Sequence, residues 1–521
     1  MTSFDTIVIG GGHNGLVAGA LLARSGRKVL VLEAADAVGG GARTEEFAPG
    51  FRASSLAHLL NRLHPDVIRS LELGRHGLET VTAGGAPSTA LVRDGEPLVL
   101  RGAYGQALDG ATPEQAEAWA GLRAQLLRQA GILKPFLARN PPVPGDMKLS
   151  EMGGLGMAAL ALKRLGKEEM RDFLRMFLMN VTDVLDEHIE DDRLRGLLAF
   201  DAVLGSHLGP RSPTSLLGLY WRLAGELGGQ PGAQLLPKGG MGSVIVAIEK
   251  AAVAAGVTIR AGAAVGRIIV ENGAAVGVEL TSGEQLRSRT IVSAMNPRST
   301  LLQLVGARFL DTGLVRKLGN VRMKGDAAKL NLALDRVPEL AGLDEAAKRG
   351  RMVIAASDGA VERAFNPAKY GEFSPEPVLE FTLPSLSDPS LAPSGACVLS
   401  AVVQFAPYAL KQGWEAGKPA LQAAIMVQIE AYVPGIGSSV QHAELLTPAD
   451  IESRYRMPGG HWHHGELQAD QMLMSRPVSG WSGYDTPVAG LWLAGAGSHP
   501  GGGVSGVPGL NAARAILAAK G

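Results

Sequence analysis

Residues 5–15 of the 521-residue chain read DTIVIGGGHNG, and they indicate its fold class. A short apolar strand runs directly into three spaced glycines, Gly10, Gly12 and Gly15, in the pattern G-x-G-x-x-G. Gly10 allows a tight turn, Gly12 lets backbone N–H groups approach a pyrophosphate, and Gly15 lets the following helix pack closely on the strand. Because the helix N-terminus favours negative charge, the stretch predicts an adenine dinucleotide site.

The residues that follow indicate which dinucleotide binds. A second strand, KVLVL at 28–32, ends at Glu33, which lies 33 − 15 = 18 residues past Gly15. An acid about 20 residues beyond the fingerprint is expected to hydrogen-bond a ribose hydroxyl. The segment 39–44, GGGART, then adds a second glycine turn with Gly40 and the cation Arg43. That turn suits a cofactor whose pyrophosphate continues into a larger head group, and NAD alone would not need it. The alternative is a glycine-rich turn that binds nothing.

Composition excludes several classes of function. Fifty Lys and Arg residues balance fifty Asp and Glu residues, so the net charge is zero and no basic field is available for nucleic acid. The single cysteine, Cys397, excludes a C-x-x-C redox pair and an internal disulfide framework. Redox chemistry must therefore come from a cofactor.

The pattern of elements predicts an α/β cofactor domain that is interrupted by a second domain. After a helical block with proline-rich and glycine-rich loops, the α/β pattern returns near Leu236, and residues 265–270 and 275–280 predict a β-hairpin. We assign residues 1–75, 232–312 and 455–521 to the cofactor domain, and residues 76–231 and 313–454 to the substrate domain. Val265, at the start of the hairpin, is assigned to the cofactor site.

The C-terminal segment 490–509 combines a strand, a run of glycines and the start of a helix. Such a loop lets the backbone approach a flat ring system. The helix N-terminus, at Gly506 and Val507, would favour negative charge on the N1–C2=O side of a reduced flavin. We therefore assign Gly497, Gly506 and Val507 to the cofactor site. The alternative is a flexible loop.

Two histidines are candidates for polar groups at the reacting centre. His499 lies inside the C-terminal glycine loop, where it either acts on the flavin ring or orients the loop through a backbone hydrogen bond. His464 ends the motif HWHH at 461–464 and is a candidate acid or base. The motif lacks the further ligand of a recognised metal pattern, so we expect no metal site.

These motifs resemble one known family. On residues 7–15, Glu33, 39–44 and 493–509, the chain resembles the phytoene desaturase branch of the flavin-dependent enzymes with an amine-oxidase fold. Further likeness covers 71–78, 236–242, 329–334 and 464–477, so the resemblance spans most of the chain. It implies non-covalent FAD, a discontinuous Rossmann-type FAD-binding domain and an inserted mixed α+β substrate domain.

The resemblance also implies a class of reaction. We expect a flavin beside a mostly apolar cavity to take hydride from a C–H bond of a lipophilic substrate of the carotenoid or lipid type, with quinone or oxygen as the electron acceptor. One alternative is an amine oxidase, which would need an aromatic cage; Trp481 and Tyr484 are the aromatic residues just before the glycine loop. Another is a protein that retains FAD but acts mainly by binding a partner or membrane.

The sequence carries a prediction about location as well. Residues 1–5 lack the basic and apolar regions of a secretory signal, and no apolar run approaches the ~20 residues that span a bilayer. We therefore expect a cytoplasmic protein, either free or peripheral to a membrane.

Overall fold

A five-stranded parallel sheet forms the centre of the cofactor domain. The computed structural model describes residues 4–79, 85–139, 156 and 159–519. The strands of this sheet, in spatial order, are Thr258–Arg260, Val29–Leu32, Thr6–Ile9, Thr290–Ser293 and Leu491–Leu493. All neighbouring pairs are parallel. The three inner strands are buried along nearly their whole length, which explains their continuous runs of Val, Ile and Leu.

Helices cover one face of this sheet. The helix His13–Arg24 follows the first strand, and the C-terminal helix Val507–Ala518 packs against it. A Cβ at Gly509 would lie 2.1 Å from the carbonyl oxygen of Asn14, so these two helices approach each other at backbone distance. The other face packs against a three-stranded antiparallel sheet with strands Val265–Glu271, Ala274–Leu280 and Gln285–Arg287.

An eight-stranded mixed sheet forms the framework of the second domain. Its strands, in spatial order, are Val440–Leu446, Ala327–Leu334, Cys397–Gln404, Leu379–Thr382, Arg351–Ile354, Ser88–Ala90, Leu98–Arg101 and Ala107–Asp109. The pair Arg351–Ile354 and Ser88–Ala90 is parallel, and the other pairs are antiparallel. Two small hairpins complete the strands: Thr44–Ala48 with Phe51–Ser54, and Glu226–Leu227 with Gln230–Pro231.

The remaining helices pack around these sheets. The α-helices are Pro65–Leu71, Pro113–Leu137, Lys167–Met176, Val181–His188, Asp192–Val203, Leu216–Ala224, Met241–Ala254, Thr312–Gly319, Glu345–Lys348, Asp358–Ala368, Trp414–Tyr432 and Pro448–Tyr455. The 3₁₀ segments are Gly40–Ala42, Leu73–His76, Ala307–Phe309, Pro384–Leu386, Pro389–Leu391, Ile436–Ser439, Pro458–Gly460, Ala469–Gln471 and Leu473–Ser475, and Ser299–Gly306 is π-helical. Within the described ranges, no helix is both long enough and apolar enough to cross a bilayer.

One expected helix differs from the structure. The apolar run from Leu56 to Leu73 predicts a helix, but only Pro65–Leu71 is α-helical. The preceding residues are extended, because the N–H and C=O groups of Leu60 both pair with the backbone of Leu235, at 2.9 Å each. Tertiary pairing thus overrides the local pattern. By contrast, the sequence Thr112-Pro113-Glu114-Gln115 predicts a helix start with a capping box, and the helix Pro113–Leu137 has that capping box between Thr112 and Gln115.

Candidate active site

The first glycine turn has the geometry that the fingerprint predicts. Gly10 has a positive φ of 95°, a conformation that glycine adopts at low cost. A Cβ on Gly15 would lie 2.0 Å from the carbonyl oxygen of Gly10, so only glycine allows this packing of helix on strand. A Cβ on Gly12, in contrast, would meet no atom within 4 Å. The space beside Gly12 is open to a pyrophosphate.

Glu33 joins the ends of the first two strands. Its Oε2 accepts a hydrogen bond from the N–H of Gly11 at 2.8 Å, and its Oε1 accepts one from the N–H of Ala35 at 2.8 Å. The backbone carbonyl of Glu33 accepts from the N–H of Ala263 at 2.7 Å, two residues before the half-buried Val265. The hairpin strand that contains Val265 therefore starts beside the candidate ribose site.

The second glycine turn lies against the first one. A Cβ on Gly40 would lie 3.8 Å from the Cα of Gly12. Arg43 follows, and its guanidinium forms a 2.7 Å ion pair with Glu45 and lies 5.9 Å from the centre of the Tyr455 ring. Its Nε is buried without a hydrogen-bond partner among the described residues.

The C-terminal glycine loop packs against the carboxyl end of the sheet. A Cβ on Gly497 would lie 2.2 Å from Pro297 Cδ and 3.3 Å from His464 Cβ, so this glycine permits contact with both residues. Gly506 caps the C-terminal helix, whose first residue, Val507, is buried. This helix N-terminus faces the same region as the first glycine turn, because the two helices pack together.

Several buried polar atoms around these turns lack partners among the described residues. They are His13 Nε2, Asn14 Oδ1, Arg43 Nε, His463 Nδ1, Ser498 Oγ and His499 Nδ1. Buried polar groups in proteins are normally hydrogen-bonded, so this set indicates a polar ligand. With the open space beside Gly12, the residues present fit FAD.

Of the two candidate histidines, His499 is fully buried and His464 is half-buried. His499 Nε2 lies 2.7 Å from the carbonyl oxygen of Phe136, and its own carbonyl accepts a 2.8 Å hydrogen bond from the Tyr484 hydroxyl. His464 borders a small crevice with Pro297 and Gly497. Burial lowers the pKa of each ring to about 4, and the charge of Arg476 adds to the effect, so both rings are neutral near pH 7.

A cavity of about 210 Å³ lies where the glycine loops meet the substrate domain. His13, Gly41, Ala496 and Val504 line its cofactor side. Apolar side chains make up much of the rest of the lining, namely Leu56, Ala57, Leu59, Ala202, Leu204, Trp221, Val402, Met457, Trp462 and Leu467. His463 of the HWHH motif lines this cavity, whereas His464 and His499 are outside its lining.

One wall of the cavity carries a network of buried charges. Arg351 is ion-paired with both Asp201 and Glu380. Its Nε lies 2.6 Å from Glu380 Oε2, at an angle that does not make a hydrogen bond. His58 Nε2 lies 2.9 Å from Glu380 Oε1, and Lys329 Nζ lies 3.0 Å from His58 Nδ1. The cavity is therefore apolar on part of its surface and strongly polar on the rest.

The network controls the protonation of its members. Burial opposes ionisation of Glu380, but Arg351 and the hydrogen bond from His58 outweigh it and hold its pKa at about 2. Burial lowers the pKa of Lys329 to about 7, although Glu380 and Glu444 favour its charged form. Burial and the charge of Lys329 lower the pKa of His58 to about 4. At neutral pH, Glu380 is ionised and His58 is neutral.

This network was not predicted from the sequence, although charged residues inside otherwise apolar strands indicate it. Lys329, Arg351 and Glu380 interrupt strands whose other residues are all buried. Charged residues are almost never fully buried unless they are paired, so a charge inside an apolar strand predicts a partner. The partners come from distant segments, and the sequence does not identify them.

The comparisons with known proteins agree with this architecture. Residues 15–517 match the family of flavin containing amine oxidoreductases. The chain is 33% identical to pyridine nucleotide-disulfide oxidoreductase domain-containing protein 2 of Mus musculus, over 99% of this chain and 93% of the mouse protein. It is 28% identical to the neurosporene-forming phytoene desaturase of Cereibacter sphaeroides, over 63% of this chain and 61% of the desaturase.

A solved structure extends the likeness to the fold. Cyclohexylamine oxidase from Brevibacterium oxydans superimposes with a TM-score of 0.57 at 18% identity, covering 99% of this chain and 98% of the oxidase. The predicted α/β fold with a Rossmann-type domain, the resemblance to phytoene desaturases and the cofactor are therefore confirmed. The chain belongs to the flavin containing amine oxidoreductase family and is an FAD-dependent oxidoreductase.

Proposed function

We propose that this enzyme removes hydride from a C–H bond of a largely apolar substrate, as a desaturase or dehydrogenase. The observation that carries the proposal is the cavity, whose lining combines residues of the glycine loops with many apolar side chains. FAD supplies the hydride acceptor when it is bound. Leu204, Val402 and Met457 would bind the substrate chain and exclude water.

The assignments to the cofactor site support this function. We propose that Gly10, Gly12 and Gly15 hold the pyrophosphate, and that Glu33 and Val265 lie at the adenosine end. Gly40 and Arg43, together with Gly497, Gly506 and Val507, would hold the rest of the cofactor. We also propose the division into a cofactor domain at 1–75, 232–312 and 455–521 and a substrate domain at 76–231 and 313–454.

His499 and His464 are the proposed acid–base groups. Each ring is neutral, and each has an Nδ1 atom without a partner among the described residues. Because neither ring lines the large cavity, each would act on the bound cofactor rather than on the substrate. Their hydrogen-bonding capacity toward the cofactor is what supports the proposal.

An amine oxidase is the second candidate function. The positive charge of Arg62 in the cavity disfavours it. The aromatic residues on the cavity wall are Trp221 and Trp462. The face of Trp221 is already covered by Arg62, whose guanidinium lies 4.2 Å from the ring centre. An alkylammonium substrate would be repelled by that cation. We therefore favour an uncharged C–H donor group at the reacting carbon.

We further propose peripheral contact with a membrane and reoxidation by a quinone or oxygen. Leu160, Leu174 and Leu178 are exposed, and Lys163 and Arg164 lie on the same part of the chain. Apolar side chains next to cations suit the surface of an anionic bilayer. Leu174→Glu combined with Leu178→Glu should abolish co-sedimentation with phosphatidylglycerol vesicles; unchanged binding would contradict the contact.

The test of the reaction is anaerobic reduction of the purified flavoprotein. Carotenoid precursors, retinoids, long-chain lipids and amines would be added separately while the visible flavin absorbance is recorded. We expect an apolar donor to bleach the flavin and amines to leave it oxidised. Bleaching by amines alone would favour the amine oxidase. Bound flavin that no donor reduces would favour a protein acting through a partner or membrane.

A further inference from the structure

The wall of the large cavity carries more positive than negative charge. Three arginines line it, Arg62, Arg222 and Arg351, against two carboxylates, Asp201 and Glu380. The histidines on the wall are His13, His58 and His463, and burial lowers the pKa of each well below neutrality. The ionised groups on the wall therefore sum to 3 − 2 = +1.

Both carboxylates are already occupied by groups of the protein. Asp201 is ion-paired with Arg351, and its Oδ2 accepts a 2.8 Å hydrogen bond from the Tyr104 hydroxyl. Glu380 faces Arg351 with one oxygen and His58 with the other. The network of Arg351, Asp201 and Glu380 thus sums to 1 − 2 = −1, and Arg62 and Arg222 bring the wall to −1 + 2 = +1.

Arg222 is the arginine with unused donor capacity. One of its terminal nitrogens, Nη2, donates to Gln234 Oε1, and the other, Nη1, is buried without a partner among the described residues. Gln234 is fixed in turn by a 2.8 Å hydrogen bond to Ser88. In the part of the chain that the structure describes, no ion pair within 4.0 Å involves Arg222 or Arg62. A buried guanidinium without a counter-ion is strongly unfavourable.

Arg62 connects Arg222 to the cofactor side of the cavity. Its guanidinium stacks on Trp221, which precedes Arg222 in the helix Leu216–Ala224, and its side chain packs against Gly503 of the glycine loop. Burial, with the nearby charge of Arg222, lowers the pKa of Arg62 to about 9. Both arginines remain charged at neutral pH, so an anion between them would be held by two cations.

We propose that the substrate is an amphipathic carboxylic acid whose carboxylate is held by Arg222 together with Arg62. This inference rests on the proposed function, since it names the class of its substrate. A carboxylate carries one negative charge and neutralises the excess of +1, and its two oxygens match the fork of donors on a guanidinium. The apolar side chains of the cavity would hold the hydrocarbon chain.

The test measures binding to the FAD-loaded enzyme and needs no turnover. Octanoate, octan-1-ol, methyl octanoate and octyl phosphate would be titrated while the flavin spectrum and the melting temperature are followed. We expect octanoate to bind at least about tenfold more tightly than the alcohol or ester, because a hydrogen bond to a charged group is worth that factor or more. Equal binding of acid, alcohol and ester would overturn the proposal, as would tighter binding of octyl phosphate.

Substitutions then test whether the two arginines cause the preference for octanoate over the alcohol and the ester. Arg222→Gln should remove most of the preference for octanoate, whereas Arg222→Lys should keep part of it, because the charge remains and the fork is lost. Arg308→Gln, at an exposed arginine outside the cavity, is the matched control and should keep the full preference. If Arg222→Gln fails to fold, the preference for octanoate can still be compared between the control and the variants Arg62→Gln and Arg222→Lys. A full preference in all three variants would refute the site.

The outcomes separate this inference from the proposed reaction. If octanoate binds through Arg222 but no apolar donor bleaches the flavin, the anion site is right and the desaturase proposal is wrong. If uncharged hydrocarbons bleach the flavin and acids show no preference, the reaction is right and the anion site is wrong.

Discussion

The backbone N–H of Gly11 donates a 2.8 Å hydrogen bond to Glu33 Oε2, which joins the end of the first strand to the end of the second. The fingerprint rule assigns this acid to a ribose hydroxyl. In this protein the carboxylate also fixes the first glycine turn, which we propose faces the pyrophosphate. One side chain thus shapes that turn and, in our proposal, also contacts the ribose.

Replacing this carboxylate should affect both stability and cofactor affinity. Glu33→Gln leaves one acceptor oxygen for two backbone donors, Gly11 and Ala35, so unfolding of the apoprotein by urea should require about 1–3 kcal/mol less. We also expect the dissociation constant of FAD to rise about tenfold, as the loss of one hydrogen bond predicts. Glu190→Gln, at an exposed position, is the control. Unchanged FAD affinity would remove Glu33 from the ribose site.

A substitution at Gly12 should affect cofactor binding without affecting folding. Its φ of −68° and ψ of 170° are accessible to any residue, and a Cβ there would touch nothing in the protein. Gly12→Val should therefore fold with a normal circular dichroism spectrum but lose its flavin absorbance, because the side chain fills the pyrophosphate space. Gly121→Val, where a Cβ also meets no atom within 4 Å, should keep its flavin. Normal flavin content in Gly12→Val would refute the site.

The buried charge network should respond strongly to loss of its central cation. Arg351→Met leaves Asp201 and Glu380 buried without their counter-ion. Breaking a buried pair in this way typically costs about 3–5 kcal/mol, and we expect a loss of that order in urea unfolding. The double variant Arg351→Met with Glu380→Gln should recover part of it. A loss below about 1 kcal/mol would mean that water reaches these carboxylates.

Mild acid should destabilise the protein, at pH values higher than those at which carboxylates titrate. Burial lowers the pKa values of His13, His58, His464 and His499 to about 4 and that of His461 to about 3, against 6.5 when unfolded. Between these values the unfolded chain binds more protons, so stability falls as the pH drops from 6.5 toward 4. Each of these rings should lower the free energy of unfolding at pH 5.5 by about 1 kcal/mol relative to pH 7.5. A melting temperature that stays constant from pH 7.5 to 5.5 would show that these rings titrate normally.

His499 can be tested with two substitutions. His499→Ala removes the ring, whereas His499→Gln retains an amide that can donate to the carbonyl oxygen of Phe136. If the ring is an acid–base group, both variants should keep FAD and slow anaerobic flavin reduction by about 10²-fold. Recovery of the rate in His499→Gln alone would make His499 a positioning residue, and unchanged rates in both would exclude either role.

The sequence by itself determined the cofactor half of this protein. The fingerprint glycines, Glu33 and the C-terminal glycine loop are each read from neighbouring residues, because a strand, a turn and a helix start are local features. Gly15 shows why this works: its contact with Gly10 lies within five residues, so spacing alone specifies it. The FAD cofactor and the fold followed from these patterns and from the resemblance they support.

The charged residues of the cavity come together only through long-range contacts. Arg62, Arg222 and Arg351 come from three distant segments, and nothing in their local sequence indicates that they face one space. The extended backbone at Leu60 is likewise fixed by its pairing with Leu235, against the helical pattern of its own segment. Long-range contacts set the balance of charge in the cavity, and that balance changes the expected substrate from a purely apolar molecule to an amphipathic acid.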